Sequence, residues 1–162
     1  MFLYKDHKFH IVGLSFTIPD GYILDTIDTS EEYQGAMKMV SPDENVVISV
    51  MPIFCCEGSP SLEKSAEDDF KERLESEDHS FRAITAAMKI QRKALNGYCA
   101  VYETRGNRYF PAMQYYEELY EISREPHELN FIEITVSAPT EYGVQKALER
   151  PEVVGFLKSL DE

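Results

Sequence analysis

Val46-Val47-Ile48-Ser49-Val50-Met51-Pro52-Ile53-Phe54 is the stretch on which the fold turns. In an extended chain Val46, Ile48 and Val50 face one way, and Val47, Met51 and Ile53 face the other. A strand with one wet side alternates apolar with polar residues, so two apolar faces predict a central strand covered on each side. Ser41-Pro42-Asp43-Glu44-Asn45 separates it from a second extended run, Tyr33–Val40, which predicts a hairpin with a five-residue loop.

Toward the N-terminus, Val12, Leu14, Phe16 and Ile18 alternate with smaller or polar residues, the period of a half-buried strand. Pro19-Asp20-Gly21 stops it, because Pro presets φ and Gly accepts a positive one. Toward the C-terminus, Ser59-Pro60-Ser61 opens a helix with a Ser cap and a Pro suited to the first turn. Leu62, Ala66, Phe70 and Leu74 make its buried stripe, and Glu67/Lys71 and Asp69/Arg73 have the spacing of supporting ion pairs. Met88–Leu95 and Tyr98–Thr104 flank Asn96-Gly97, a strong hairpin signal, with Lys89, Gln91 and Lys93 toward water and Met88, Ile90 and Ala94 toward the core. Phe110–Ser123 reads as a long strand, Arg124–Asn130 as a turn, and Phe131–Ala138 as a strand ended by Pro139. Two short helices follow, one with Val144, Ala147 and Leu148, the other starting at Pro151 with Val153, Val154, Leu157 and Leu160. Runs of antiparallel strands with segregated helices predict an α+β layer fold. No repeat or linker interrupts it, so residues 1–162 form a single domain.

A hydrophobic content of 43% and a charged content of 28% are those of a globular chain, not a disordered one. With 16 bases against 29 acids the net charge is −13, which repels phosphate backbones and excludes a nucleic-acid role. A basic partner fits this balance better. Met1–Lys8 lacks the apolar run of a signal peptide, and no stretch is long and apolar enough to span a membrane, so a cytoplasmic protein is expected. Three cysteines, an odd and sparse set, agree with that compartment.

Phe16-Thr17-Ile18-Pro19-Asp20-Gly21-Tyr22, Met39-Val40-Ser41-Pro42-Asp43 leading into Val46–Val50, and the Ser61–Glu75 helix form one half of a longer pattern. Leu95-Asn96-Gly97-Tyr98-Cys99-Ala100, Ile134-Thr135-Val136-Ser137-Ala138-Pro139 and Val153–Leu160 complete it. In these stretches the chain resembles the PsbP/DcrB-like superfamily, which includes the Mog-type Ran-binding proteins. The resemblance spans nearly the whole chain, but it consists of turns, a cap and core periodicity, which specify architecture rather than function. It implies an α/β/α sandwich with a central antiparallel β-sheet flanked by helices. It also implies a protein that holds another macromolecule, as do an extrinsic photosystem subunit, a nucleotide-release factor for Ran and DcrB-like chaperones for apolar segments of secreted toxins. Leu3-Tyr4 to Ile18-Pro19 is similar to the start of those chaperones. No catalytic residue carries over, and because no targeting segment is read in Met1–Lys8 the chain is expected to differ in setting from the exported members.

Catalytic and metal spacings are not found. Cys55 and Cys56 are adjacent and point to opposite sides of an extended chain, so with Cys99 they read as small buried hydrophobes rather than a zinc or redox site. His7, His10, His79 and His127 are scattered without HxxxH or HExxH spacing, and there is no GxSxG, Walker or GxGxxG motif. No metal or cofactor is expected. Glu67, Asp68, Glu72 and Glu75 form an acidic helix face, and Asp25, Asp28, Glu31 and Glu32 a second cluster; both read first as solvated surface.

The richest signal is aromatic: six of the ten tyrosines lie between residues 98 and 120. Tyr115 and Tyr116 point to opposite faces, as do Glu117 and Glu118, so each side of that strand sets an acid among aromatics. The expected site is a binding face around Tyr102, Tyr115, Tyr116, Glu117, Glu118 and Tyr120, with Glu67, Asp68, Glu72 and Glu75 at its rim. A non-enzymatic adaptor for a protein partner is the first expectation. A DcrB-like chaperone with an apolar groove is the second. A small-molecule enzyme using Glu117 or Glu118 at a raised pKa is the third.

Overall fold

The computed structural model describes residues 2–5, 8–11, 13–28, 36–54, 57–58, 64–75, 80–123 and 125–162, with the backbone alone at 2–5 and 25–28. Strands β1 (Phe2–Lys5), β2 (Lys8–Ile11) and β3 (Leu14–Phe16) form a small antiparallel sheet. The remaining strands are β4 (Ile23–Asp28), β5 (Ala36–Val40), β6 (Val47–Phe54), β7 (Phe81–Ala83), β8 (Met88–Arg92), β9 (Leu95–Thr104), β10 (Met113–Glu121) and β11 (Leu129–Pro139). They make one large antiparallel sheet in the order β4-β5-β6-β11-β10-β9-β7, with β8 paired to β9. The described helices are α1 (Ala66–Leu74), α2 (Val144–Glu149) and α3 (Pro151–Ser159). The chain is thus α+β, a large antiparallel sheet with a few helices.

β6 is an interior strand, as its two apolar faces predict, and it joins β5 through the turn at residues 41–46. The main core lies on one face of the sheet. Ile132, Ile134, Val136 and Ala138 of β11 are fully buried there with Ile48 and Val50 of β6 and Tyr120 of β10. Ala147, Val153, Phe156 and Leu160 from the terminal helices close over them, and Ile11, Leu14 and Phe16 of the small sheet join the same cluster. Phe16 is the hinge of that joint: it stacks on Phe9 at 5.4 Å and meets Phe156 edge-on at 5.6 Å. On the opposite face, α1 buries Ala66 and Phe70 against Ala100, Leu119 and Phe131 in a smaller second cluster.

Local chemistry explains the ends of these elements. Ser65 caps α1 in a reciprocal box with Asp68, and the α1 amide of Ala66 also donates to Glu121 of β10 at 2.9 Å. The expected opening at Ser59-Pro60-Ser61, and Leu62, lie outside the described residues, as do Tyr33, Glu31, Glu32, Cys55, Cys56, His7 and His79. Glu67/Lys71 and Asp69/Arg73 pair as their spacing predicts, at 2.8 and 2.6 Å. Pro139 and Pro151 end β11 and begin α3.

Three expectations need correction. The hairpin of β8 and β9 does not turn at Asn96-Gly97; Arg92 pairs with Leu95 and the two-residue turn is Lys93-Ala94, with Lys93 at φ 49°. Gly97 is needed for a different reason: a Cβ there would lie 2.3 Å from the Leu119 carbonyl oxygen, where β10 and the Tyr120 ring press close. Met88 and Ala94 consequently face solvent rather than the core, with Met88 55% exposed. The strand expected from Phe110 begins at Met113, and Phe110 is left in an exposed connection. Finally, β1 and β2 precede the strand read from Val12–Ile18, whose described part is Leu14–Phe16.

Candidate functional site

The pleat of β10 sends its adjacent acids to opposite faces, and each is buried: Glu117 is 0% and Glu118 1% exposed. Such charges persist in an interior only where partners replace water. On the α2/α3 side Glu118 has a complete set. Arg92 grips both of its oxygens, Nε to Oε2 and Nη2 to Oε1, each at 2.7 Å. Tyr116 and Tyr120 donate their hydroxyls to it at 2.5 and 2.6 Å. Burial pushes the Glu118 carboxyl up, but Arg92 and the two phenols outweigh it and hold the pKa below the usual carboxylate range. Arg92 also donates Nη1 to the Leu157 carbonyl at 3.0 Å and to Asp161 at 2.6 Å, tying the end of α3 to the sheet.

On the α1 side the set is incomplete. Glu117 Oε2 accepts from Arg73 Nη1 and from the Tyr102 hydroxyl, both at 2.5 Å. Its Oε1 is buried and takes no hydrogen bond from the described side chains or amides. Glu133 of β11 lies diagonally across, since Glu117 pairs with Thr135 and Leu119 with Glu133. Desolvation first, then the neighbouring Glu117 charge, pushes the Glu133 carboxyl up to about 8, against a smaller opposing pull from Arg73. The Glu117 charge thus opposes ionisation of Glu133, and Glu117 Oε1 has no hydrogen-bond donor among the described residues. A cleft of about 50 Å³ opens beside it between Lys64, Asp69, Arg73 and Phe131. One water occupies about 30 Å³ of liquid, so this space takes a water or two and no organic substrate.

Placed in this frame, the six residues expected to face a partner divide unevenly. Tyr102, Glu117, Glu118 and Tyr120 are buried and committed to the two networks. Tyr115 and Tyr116 are half-buried, Tyr115 stacked on Tyr102 at 5.1 Å and Tyr116 bonded to Glu118. Tyr116 and Tyr120 of β10, with Tyr102 of β9, direct their hydroxyls to internal acids. A raised pKa is expected of Glu117 or Glu118; the pKa of Glu118 moves in the opposite direction, and Glu133 is the acid whose pKa rises. The rim acids are also occupied locally: Glu67 by Lys71 and Tyr98, Asp68 by Ser65, and Glu72 by Lys64, while Glu75 ends α1 at the surface. Arg73, Arg92 and Glu133 were missed because a buried ion pair leaves no periodic trace in a sequence. The only available signal was that the acids of β10 needed cations of their own.

A larger concavity lies elsewhere among the described residues. A groove of about 640 Å³ runs between the small sheet and α3. Phe9, Ile18, Pro19 and Phe156 supply apolar lining, and Asp20, Glu152 and Glu162 supply carboxylates. Gly155 lines it without a side chain, and a Cβ there would meet nothing within 4 Å. Two of the acids are partly engaged, Glu152 by Arg150 at 2.6 Å and Glu162 by Lys8 at 3.6 Å. A family-model scan and a search of curated proteins both return no match to this chain.

Proposed function

We propose that this chain is a non-enzymatic binding module that holds an extended segment of a protein partner in the groove beside α3. The observation that carries the proposal is the groove's size and lining: about 640 Å³ of space with an apolar floor and three carboxylates. Pockets of about 300–1,000 Å³ are those that bury most of a small ligand or an anchor side chain. The partner chemistry follows from the charge, a segment with Lys or Arg beside apolar side chains, which the net −13 also attracts. The α/β/α sandwich of the PsbP/DcrB-like resemblance, and a soluble cytoplasmic setting, are parts of the same proposal. No described helix is long and apolar enough to cross a membrane. The half-buried Tyr115 and Tyr116 are secondary contacts at most.

Two fluorescent peptides of equal length test it by anisotropy, one alternating Lys and Leu, the other Ser and Leu. The Lys/Leu peptide is expected to bind, and Gly155→Phe and Asp20→Lys are expected to weaken it at least tenfold. Equal binding of both peptides would favour the second reading, a DcrB-like holder of apolar segments, which the Phe9, Ile18 and Phe156 lining supports. Binding of neither peptide overturns the groove as the site.

A further inference from the structure

The connection between β9 and β10 combines basic and aromatic side chains on a chain of net charge −13. From Arg105 to Ala112 it carries two arginines and no acid, in a chain with 29 acids and 16 bases. Tyr109 and Phe110 at its tip are each 70% exposed, the largest exposures among the described large hydrophobic residues. The tip is held in shape from within. Asn107 Oδ1 accepts from the amides of Tyr109 at 2.8 Å and Phe110 at 3.0 Å, and the Asn107 amide donates to the Phe110 carbonyl at 2.8 Å. The Arg108 guanidinium lies over the Tyr109 ring at 4.4 Å. At the neck, Gly106 runs so close to the returning strand that a Cβ would fall 2.5 Å from the Ala112 nitrogen. Two aromatic rings and two arginines are the side-chain types that dominate binding hot spots, and a tip already ordered loses little entropy on docking.

The knob and the groove are complementary in both charge and polarity. One is basic and aromatic and convex; the other is acidic, apolar-floored and concave. The knob's own rings are in solvent, so its own groove does not hold them. We infer that the groove takes the Arg105–Phe110 knob of a second copy of this chain, joining copies head to tail. The inference rests on the proposed reading of the groove and names one occupant for it. Such a contact is heterologous, with a different patch from each partner, so an open assembly keeps one free knob at one end and one free groove at the other. The net charge of each body opposes the approach. At about 0.15 M ionic strength the screening length is about 8 Å, which weakens that repulsion across whole molecules more than it weakens pairs in contact.

Sedimentation velocity over a range of protein concentrations at that ionic strength tests the contact. The weight-average mass of the wild type is expected to rise with concentration. A knob variant, Arg108→Glu with Phe110→Ala, and a groove variant, Gly155→Phe, should each associate at least tenfold more weakly. All three positions are solvent-exposed, so the fold should be unaffected, with circular dichroism and melting curves as the check. Mixing the two variants is the decisive arm. The knob variant keeps its groove and the groove variant keeps its knob, so the mixture should give a 1:1 dimer that grows no further. A monomeric wild type, variants that associate as the wild type does, or a mixture that stays monomeric would each overturn the inference. A monomeric wild type that still binds the Lys/Leu peptide overturns self-association alone; failure of both experiments removes the groove as well.

Discussion

Glu117 and Glu118 are neighbours in sequence, both buried and each faced by an arginine, yet they live in different chemistry. Glu118 has two arginine nitrogens and two phenols across its two oxygens, so nothing about it is left to water. Glu117 has its partners on one oxygen, and the other is buried without a donor among the described residues. The difference shows that burial alone does not fix the state of an acid. The completeness of its partner set matters too, and on β10 that set changes from complete to incomplete within one residue.

The sharpest way to break this comparison is to remove one arginine at a time. Arg92→Ala strips Glu118 of the arginine that grips both its oxygens in a dry site, and breaking a buried pair costs about 3–5 kcal/mol. Urea unfolding measures it, and adding Glu118→Gln should recover part of the loss because no charge is then stranded. Arg73→Ala should cost less, about 1–3 kcal/mol, since Arg73 lines a wettable cleft and Glu117 keeps the Tyr102 hydroxyl as a donor. Equal losses would mean that the two acids are not differently held.

The smallest effect is the most discriminating, because the two faces titrate in opposite senses. Glu133 has a folded pKa of about 8 against an ordinary 4.5. The folded chain therefore keeps a proton that the unfolded chain releases. Its stabilising contribution is full below pH 4.5 and is lost as pH rises through about 8. Glu118 is depressed, so its contribution is present above 4.5 and is lost as pH falls through its lower folded value. Glu133→Gln should flatten the decline between pH 4.5 and 8 and leave the acid limb unchanged, read from urea midpoints across that range. An unaltered profile would place the proton elsewhere.

Much of the architecture could be read from the chain because periodicity encodes it. The alternation in Phe131–Ala138, the hairpin before β6 and the Pro at the start of α3 each reflect a local rule that the tertiary structure keeps. The misplaced turn at Asn96-Gly97 shows where local rules fail: that glycine answers to β10 packed beside it, a contact of long sequence separation. The site was less legible for the same reason. Tyrosine spacing identified the strand that carries the chemistry, but whether those phenols face a partner or an internal acid is decided by Arg73 and Arg92, on elements far away in sequence. The groove was invisible because its walls come from residues 9–20 and 152–162, joined only in the fold.

The double grip of Arg92, on Glu118 in β10 and on Leu157 and Asp161 at the end of α3, has a kinetic consequence. Terminal helices ordinarily fray, and their amides exchange with solvent hydrogen through small local openings. Here the last turn of α3 cannot lift away while Arg92 keeps both holds, and an Arg92 that follows the helix leaves a buried carboxylate bare. The amides of α3 should therefore exchange together with those of β10, through a shared subglobal opening. The wall of the groove then moves on the timescale of the sheet rather than that of a loose chain end.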